Sequence, residues 1–303
     1  MTVNLSSIRD HLLPGLMEIT GKYDEVPAEW KGLFSVRNST LAVERAVQDR
    51  FLGMARQKTE GAPTSADNNA GQRWKYNMEA IEVGLMYAIT RRAVDDNVYK
   101  DAFQPTNLNL QLSHKAFWNA HAASLLNTAT TYNSAVGGDG KAILATDHPI
   151  DTGTWSNTSS TPQQLNEASL IAGLKQVWGG FYDEAGILLS ANAEELIIPV
   201  GLSEVAIRLK ETMLRPGTAN NDVNAINHMN GGIPGGIRTM RYLTNSAAWY
   251  LKTSVDGLIY LNRVPFEMDM FVDFSTDNLM VKSYERGGMF CHDPRSLYGQ
   301  QPT

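Results

Sequence analysis

The chain contains one cysteine, Cys291, among 303 residues. A single thiol excludes an internal disulfide bond and a zinc site built from several cysteines, and it fits a reducing compartment. The chain also has no run of about 18 consecutive apolar residues, which is the length that a membrane-spanning helix needs. Its first residues, MTVNL, lack the basic start and apolar run of a secretory signal. We therefore expect a protein with no membrane association.

The sequence also lacks an excess of positive charge, because its formal net charge at pH 7 is −6. Proteins that wrap nucleic acid tightly present a basic face. We therefore do not expect sequence-specific DNA binding, and only weak local contact with a polyanion stays open. With 43% hydrophobic and 19% charged residues, the composition is that of an ordinary globular protein with a sizeable core.

No catalytic motif is recognisable. Asp147 and His148 are adjacent, so their side chains diverge rather than meet as an acid–base pair, and Pro149 favours a turn. Cys291 has a neighbouring histidine, but adjacent residues do not form a nucleophile–base pair either. We interpret residues 147–149 as a structural turn and expect no catalytic residues, no cofactor and no metal site. A hydrolase that uses His148 or Cys291 is kept as an alternative.

Residues 44–87 predict a long hairpin. Two strand-like arms flank a tip, residues 60–71, that is rich in Gly, Ala, Pro, Ser, Asp and Asn. The segment is charged, and its apolar content near the tip is too low to build a core, so it needs another surface to pack on. We expect its basic and aromatic side chains to form an assembly interface with an acidic surface of a neighbouring subunit. These residues are Arg50, Arg56, Lys58, Arg73, Trp74, Lys75 and Tyr76.

Two helices are predicted in the middle of the chain. Pro105 opens the first, and residues 107–132 carry apolar side chains at spacings of three and four, which is typical of one buried helix face. The second begins at Thr161-Pro162, an N-cap followed by proline at the first helical position. Gly179-Gly180 ends it.

The rest of the chain predicts an α/β layer followed by strands. ELIIPV, residues 195–200, is typical of a strand buried on both faces, and a third helix follows at about 202–213. The long Gly-, Asn- and Pro-rich loop at 215–238 is expected to be functional or mobile. Apolar residues alternate at 266–274, which is the period of a half-buried strand.

This order of elements resembles that of the bacteriophage major capsid proteins with the HK97-like fold. Three segments resemble parts of the Mu-like major head subunit family in particular: GDGKAILATDHPI after the long helix, LIIPVGLSEVAIRLKETM, and MVKSYERGGMFCHDPRSLYG near the end. The resemblance implies an α+β fold with an N-terminal arm, an extended hairpin loop, a peripheral domain with a long spine helix, and an axial α/β domain.

The resemblance also divides the chain. It implies an N-terminal arm at residues 1–43, the extended hairpin loop at 44–87, and the peripheral domain with its spine helix at 88–160. The axial domain would follow at 161–241, and the C-terminal strands at 242–303 would return to the peripheral domain.

The function that the resemblance implies is structural and not enzymatic. Such a protein is the major capsid (head) protein that self-assembles as pentamers and hexamers into the icosahedral shell enclosing the double-stranded DNA genome. Its implied partners are itself, scaffolding, portal and decoration proteins, and packaged DNA through weak non-specific contact. Its implied location is the virion, after assembly in the host cytoplasm. An encapsulin-type nanocompartment shell protein is a second alternative beside the hydrolase.

Overall fold

The structure is a computed structural model. It describes residues 28–50, 52–64, 66, 71–95, 99–133, 135–213, 223–227 and 232–302. Within these ranges, only the backbone is described at 94–95 and 99–106. Of the N-terminal arm expected at 1–43, positions 1–27 lie outside the described residues.

The first sheet has four strands in the order β1–β10–β11–β4. At its centre is a long antiparallel pair, β10 (Leu258–Val272) and β11 (Leu279–Cys291). β4 (Ile81–Ile89) pairs antiparallel with β11, and β1 (Ser35–Asn38) pairs parallel with β10. The alternation expected in β10 is present up to the strand end, whereas Phe274 lies in the following turn and is fully exposed.

The hairpin is shorter than the range 44–87 that the sequence indicated. β2 (Val43–Arg50) pairs antiparallel with β3 (Gly71–Glu79), and no further strand joins this two-stranded sheet within the described residues. β4 follows after one residue and pairs along its whole length with β11. The edge of β11 satisfies the backbone groups of β4, so this segment belongs to the first sheet. A short helix, α1 (Arg91–Asp95), comes next.

The long helix, α2 (Tyr99–Asn127), lies against this sheet. It begins before the predicted start at Asn107 and ends before Tyr132. Pro105 lies within it rather than opening it, and forgoes one backbone hydrogen bond there. At 1.5 Å per residue the helix is about 43 Å long. Its buried face includes Leu110, His114, Trp118, Ala122, Leu125 and Leu126.

The second sheet has the order β12–β9–β7–β8. β7 (Ala193–Ile198) pairs parallel with β8 (Ile237–Thr239) and antiparallel with β9 (Trp249–Thr253), which in turn pairs with β12 (Leu297–Gln300). The last three residues of β7 are 0% exposed. The prediction of a strand buried on both faces is therefore confirmed.

The C-terminal segment, 242–303, is divided between the two sheets rather than returning wholly to the first. β10 and β11 form the centre of the first sheet, but β9 and β12 complete the second. β9 pairs with β7 on the side away from β8, and an interior strand without such a partner would leave buried backbone groups unpaired. The second sheet is therefore built from two separate parts of the chain.

The helix predicted from Thr161 begins later. α3 (Glu167–Gly179) has Asn166 as its N-cap, whose side chain accepts a 2.9 Å hydrogen bond from the Ser169 N–H. The Asn166 N–H donates to Ser169 Oγ at 3.0 Å, which completes a capping box. The helix ends at Gly179, with Gly180 as its C-cap, as predicted.

Three short elements pack with the second sheet and α3. β5 (His148–Ile150) and β6 (Gly153–Trp155) form a small hairpin, and α4 (Ser203–Glu211) is the third predicted helix. They share one apolar core with α3 and the second sheet, which includes Trp155, Leu170, Leu174, Phe181, Ile198, Ala206, Trp249 and Tyr298.

Part of the loop predicted at 215–238 is ordered into secondary structure. Residues Ala225–Asn227 form a 3₁₀ turn in which Ile226 is buried, and β8 begins at Ile237. Positions 214–222 and 228–231 lie outside the described residues.

Across the described ranges, no helix is long and apolar enough to cross a membrane. The same part of the chain contains no group of three or more His, Cys, Asp or Glu side chains placed to hold a metal ion.

Candidate assembly interface

The hairpin carries a β-bulge at Arg73. Gln48 lies opposite Trp74, and Asp49 lies opposite Gln72, so Arg73 is the extra residue on its strand. A bulge re-aims the side chain of the inserted residue. Arg73 and Trp74 are consecutive, yet both side chains contact the body of the chain.

Asp151, in the turn between β5 and β6, receives an arginine from each arm of the hairpin. Arg50 Nη2 lies 2.7 Å from Asp151 Oδ2, and Arg73 Nη1 donates to Asp151 Oδ1 at 3.1 Å. Arg73 Nη2 also donates to the carbonyl oxygen of Pro149 at 3.3 Å. The Asp151 and Arg73 side chains are 16% and 13% exposed, so solvent screens their attraction less than it screens a surface pair.

Glu184 lies deeper, with 3% of its side chain exposed. Its Oε1 accepts hydrogen bonds from Gln48 Nε2 at 2.9 Å and from Arg295 Nη2 at 2.6 Å. Arg73 Nη1 lies 2.6 Å from Oε2 without hydrogen-bond alignment, so this contact is electrostatic. Glu184 therefore joins both arms of the hairpin to the C-terminal segment.

Arg295 completes the cluster. Its Nη1 lies 3.2 Å from Asp293 Oδ2, and its Nε donates to the carbonyl oxygen of Tyr182 at 2.7 Å. Burial opposes the charge of Arg295, but Asp293 and Glu184 outweigh that effect and raise the pKa of the guanidinium.

Three arginines and three carboxylates thus balance in charge, and the two most buried of them, Glu184 and Arg295, are paired with each other, as buried ionic groups require. We call this group the hairpin clamp. Its members are Gln48, Arg50, Arg73, Asp151, Glu184, Asp293 and Arg295.

The two aromatic residues expected at the interface also contact their own chain. Tyr76 Oη lies 3.3 Å from His292 Nδ1, and the two rings stack with centroids 5.8 Å apart. Burial, with a smaller effect of Cys291, raises the pKa of Tyr76. Trp74 packs closely on Gly138, where a Cβ atom would lie 3.2 Å from the Trp74 Cβ.

The remaining three residues of the expected interface are exposed. Arg56 and Lys58 lie on the distal part of the hairpin, 52–64, where Met54 is 73% exposed. Lys75 is exposed on β3. Of the seven residues, Arg50, Arg73, Trp74 and Tyr76 therefore contact the body of their own chain, and Arg56, Lys58 and Lys75 are the three whose side chains face solvent.

Sequence reasoning missed Asp151, Glu184 and Arg295. Asp151 is 78 residues from Arg73, and Glu184 is 111 residues from Arg295. No local spacing marks residues so far apart as partners. A bulge at Arg73 likewise has no signal in a segment without glycine at that position.

The structure places His148 in the interior, 1% exposed. Its Nδ1 lies 2.7 Å from Asp139 Oδ2, its Nε2 lies 3.2 Å from Asn157 Oδ1, and its ring stacks on Trp155. The acidic partner is therefore Asp139 and not the adjacent Asp147. Both ring nitrogens are engaged, so neither is placed to take a proton from a substrate.

Cys291 is also fully buried, with its Sγ 3.5 Å from the carbonyl oxygen of Asp293. Burial, followed by the charge of Asp293, raises the pKa of the thiol. A nucleophilic cysteine needs the opposite shift and access to solvent. Neither residue named for the hydrolase alternative therefore has the environment that this chemistry requires.

No protein-family model and no curated protein matches this chain. Several solved capsid structures do. The virus-like particle from Pyrococcus furiosus matches with a TM-score of 0.56 at 10% identity, over 94% of this chain and 97% of that chain. The capsid of the empty GTA particle matches with a TM-score of 0.58 at 13% identity, over 91% of this chain and 90% of that chain.

A third match is the capsid of Myoviridae phage XM1, with a TM-score of 0.52 at 12% identity, over 90% of each chain. At such low sequence identity, the similarity between these structures and this chain concerns the fold alone. The chain has the α+β fold of the HK97-like capsid proteins.

Proposed function

We propose that this chain is the major capsid (head) protein of a bacteriophage, which self-assembles into an icosahedral shell around double-stranded DNA. The observation that carries the proposal is the likeness to capsid and virus-like-particle subunits over at least 90% of both chains in the three structures compared. The shared architecture thus spans nearly the whole chain rather than one module of it.

The hairpin supports self-association. Its distal part, 52–64, exposes Leu52 and Met54 as well as Arg56 and Lys58. Exposed apolar side chains on a segment that does not pack on its own body indicate a surface for another molecule. We propose that the hairpin contacts a neighbouring subunit through its three exposed basic residues, Arg56, Lys58 and Lys75, and these two apolar side chains.

The finer assignments are proposals as well. Membership of the Mu-like major head subunits rests on the three sequence segments quoted above. The loop at 215–238 is proposed to lie near the centre of each pentamer or hexamer, because glycine- and asparagine-rich backbone can adapt to rings of either size. The net charge of −6 favours weak contact with DNA. We propose scaffolding, portal and decoration proteins as further partners, with assembly in the host cytoplasm and final location in the virion.

A nanocompartment shell is the second candidate, because the virus-like particle from Pyrococcus furiosus has the same fold. The contents of the particle distinguish the two. Negative-stain imaging of the purified protein is expected to show closed shells of uniform diameter. Particles isolated from the native source are then treated with nuclease and analysed for DNA and protein.

Protected double-stranded DNA supports the capsid function, whereas enclosed protein without DNA supports the nanocompartment. If closed particles are found neither with the purified protein nor in the native source, both functions are contradicted.

A further inference from the structure

We propose that the hairpin clamp sets the direction in which the hairpin leaves the body of the subunit, with Glu184 as the central positioning residue. The link from that direction to shell assembly rests on the proposed function. The positioning itself concerns the isolated subunit and does not depend on it.

The clamp lies where the hairpin leaves the body. Arg50 and Gly71 form the last pair of the β2–β3 ladder, and beyond them the side chains at 52–64 are almost all exposed. Nearer the sheet, the hairpin is held by an apolar cluster of Ala46, Met78, Leu261 and Phe290. The clamp is therefore the outermost contact with the body, and a small movement there is enlarged at the tip.

Both arms are held, which matters for direction. A hairpin tied through one arm can rotate about that contact, whereas ties on both arms define a plane. Arg50 on β2 and Arg73 on β3 bind different oxygens of the same Asp151 carboxylate. Gln48 and Arg73 repeat this arrangement one layer deeper, on the two oxygens of Glu184.

The bulge gives Arg73 its reach. Inserting a residue disrupts the local ladder, and such a feature is retained where it directs a side chain. The guanidinium of Arg73 contacts Asp151, Pro149 and Glu184 at once. A planar group with five donors can do this, and the single ammonium of lysine cannot.

Glu184 transmits the position of the body to the hairpin. Its Oε1 is shared by Gln48 of the hairpin and Arg295 of the C-terminal segment. Arg295 in turn is fixed by Asp293 and by the Tyr182 carbonyl. Without the Glu184 charge, the guanidinium groups of Arg73 and Arg295 would repel each other with too little negative charge between them. The β3 arm that carries Arg73 would then move away from the body of the subunit.

The test is a distance measurement by pulsed electron spin resonance. Nitroxide labels are placed at Thr59→Cys on the distal hairpin and Ala172→Cys on α3, both at exposed positions. Cys291 is fully buried, so the reagent labels the introduced cysteines. Labelled subunits are diluted with unlabelled ones, so that distances between subunits do not contribute.

The labelled parent protein is expected to give one narrow distance distribution. Glu184→Gln is expected to broaden it and add a second population. Glu195→Gln is the matched control, because Glu195 is also buried and holds an arginine, Arg238, at 2.9 Å, but this pair lies outside the hairpin clamp. The control is expected to lower the melting temperature and leave the distribution narrow.

Arg73→Lys keeps the charge and provides a second variant if Glu184→Gln does not fold. We expect partial broadening from it. If either folded clamp variant lowers the melting temperature but keeps the parent distribution, the hairpin clamp is only a stabilising contact and the proposal is overturned. Because the labelled subunits are read individually, this outcome is independent of whether shells form.

Discussion

Reversing the two basic charges on the distal hairpin, Arg56→Glu with Lys58→Glu, is expected to weaken shell assembly without unfolding the subunit. Both side chains are exposed and lie outside the hairpin clamp. Surface substitutions of this kind usually change the free energy of unfolding by no more than about 0.5 kcal/mol. The circular dichroism spectrum and the melting temperature should therefore stay as in the parent protein.

The magnitude follows from the two contacts that each subunit would lose. An exposed ion pair contributes about 0–1 kcal/mol, and reversal replaces attraction by repulsion, so a loss of about 1–2 kcal/mol per subunit is expected. Since about 1.4 kcal/mol is a factor of ten in an equilibrium constant, the critical concentration for assembly should rise roughly 5- to 30-fold. Light scattering over a dilution series measures that concentration.

Two control variants make the result specific. Arg56→Gln with Lys58→Gln removes attraction without adding repulsion and should give an intermediate critical concentration. Lys175→Glu with Arg208→Glu, at exposed positions on α3 and α4, has the same net charge as the reversed hairpin and should assemble normally. An unchanged critical concentration in the reversed hairpin, or an equal rise in the α3–α4 variant, would refute the reasoning.

Three further predictions concern the interior. Gly173→Ala should lower the free energy of unfolding by about 1–3 kcal/mol, because the added Cβ would lie 2.7 Å from Tyr298 Cε1. Gly179→Ala is the control: its Cβ would have no atom within 4 Å, so the variant should be neutral or slightly stabilised. Denaturant titration compares the two variants. His148→Ala should lower the free energy of unfolding by roughly 2–4 kcal/mol, because Asp139 loses its hydrogen-bond partner. Particles should still form. A stable variant that fails to assemble would contradict a purely structural role for His148. Cys291 should react with a thiol reagent only as fast as the chain unfolds, and fast reaction of the folded protein would count against burial. Burial also raises the pKa of this thiol above the ordinary 9.0. As the pH rises past 9.0 the unfolded chain alone releases the proton, so the free energy of unfolding should decline.

Local patterns in the sequence determined much of the architecture. A helix with Trp118 on its buried face, the strand ending at Ile198, and the alternation along β10 are all present. Each follows from side-chain periodicity within one element, which the order of residues contains directly. The ends of two helices differ from the prediction because more than one local sequence signal was present. Asn166 caps α3 in place of Thr161, and α2 extends on both sides of Pro105.

The pairing of distant segments was decided only in the tertiary structure. The sequence marks Arg50 and Arg73 as basic residues of a hairpin, but not that both bind Asp151 of the same chain. Likewise, β4 leaves the hairpin because β11 presents an edge to it. The physical reason is the same in both cases. A strand edge or a buried charge is satisfied by whichever complementary group the fold brings within about 3 Å, and separation along the chain does not specify which group that is.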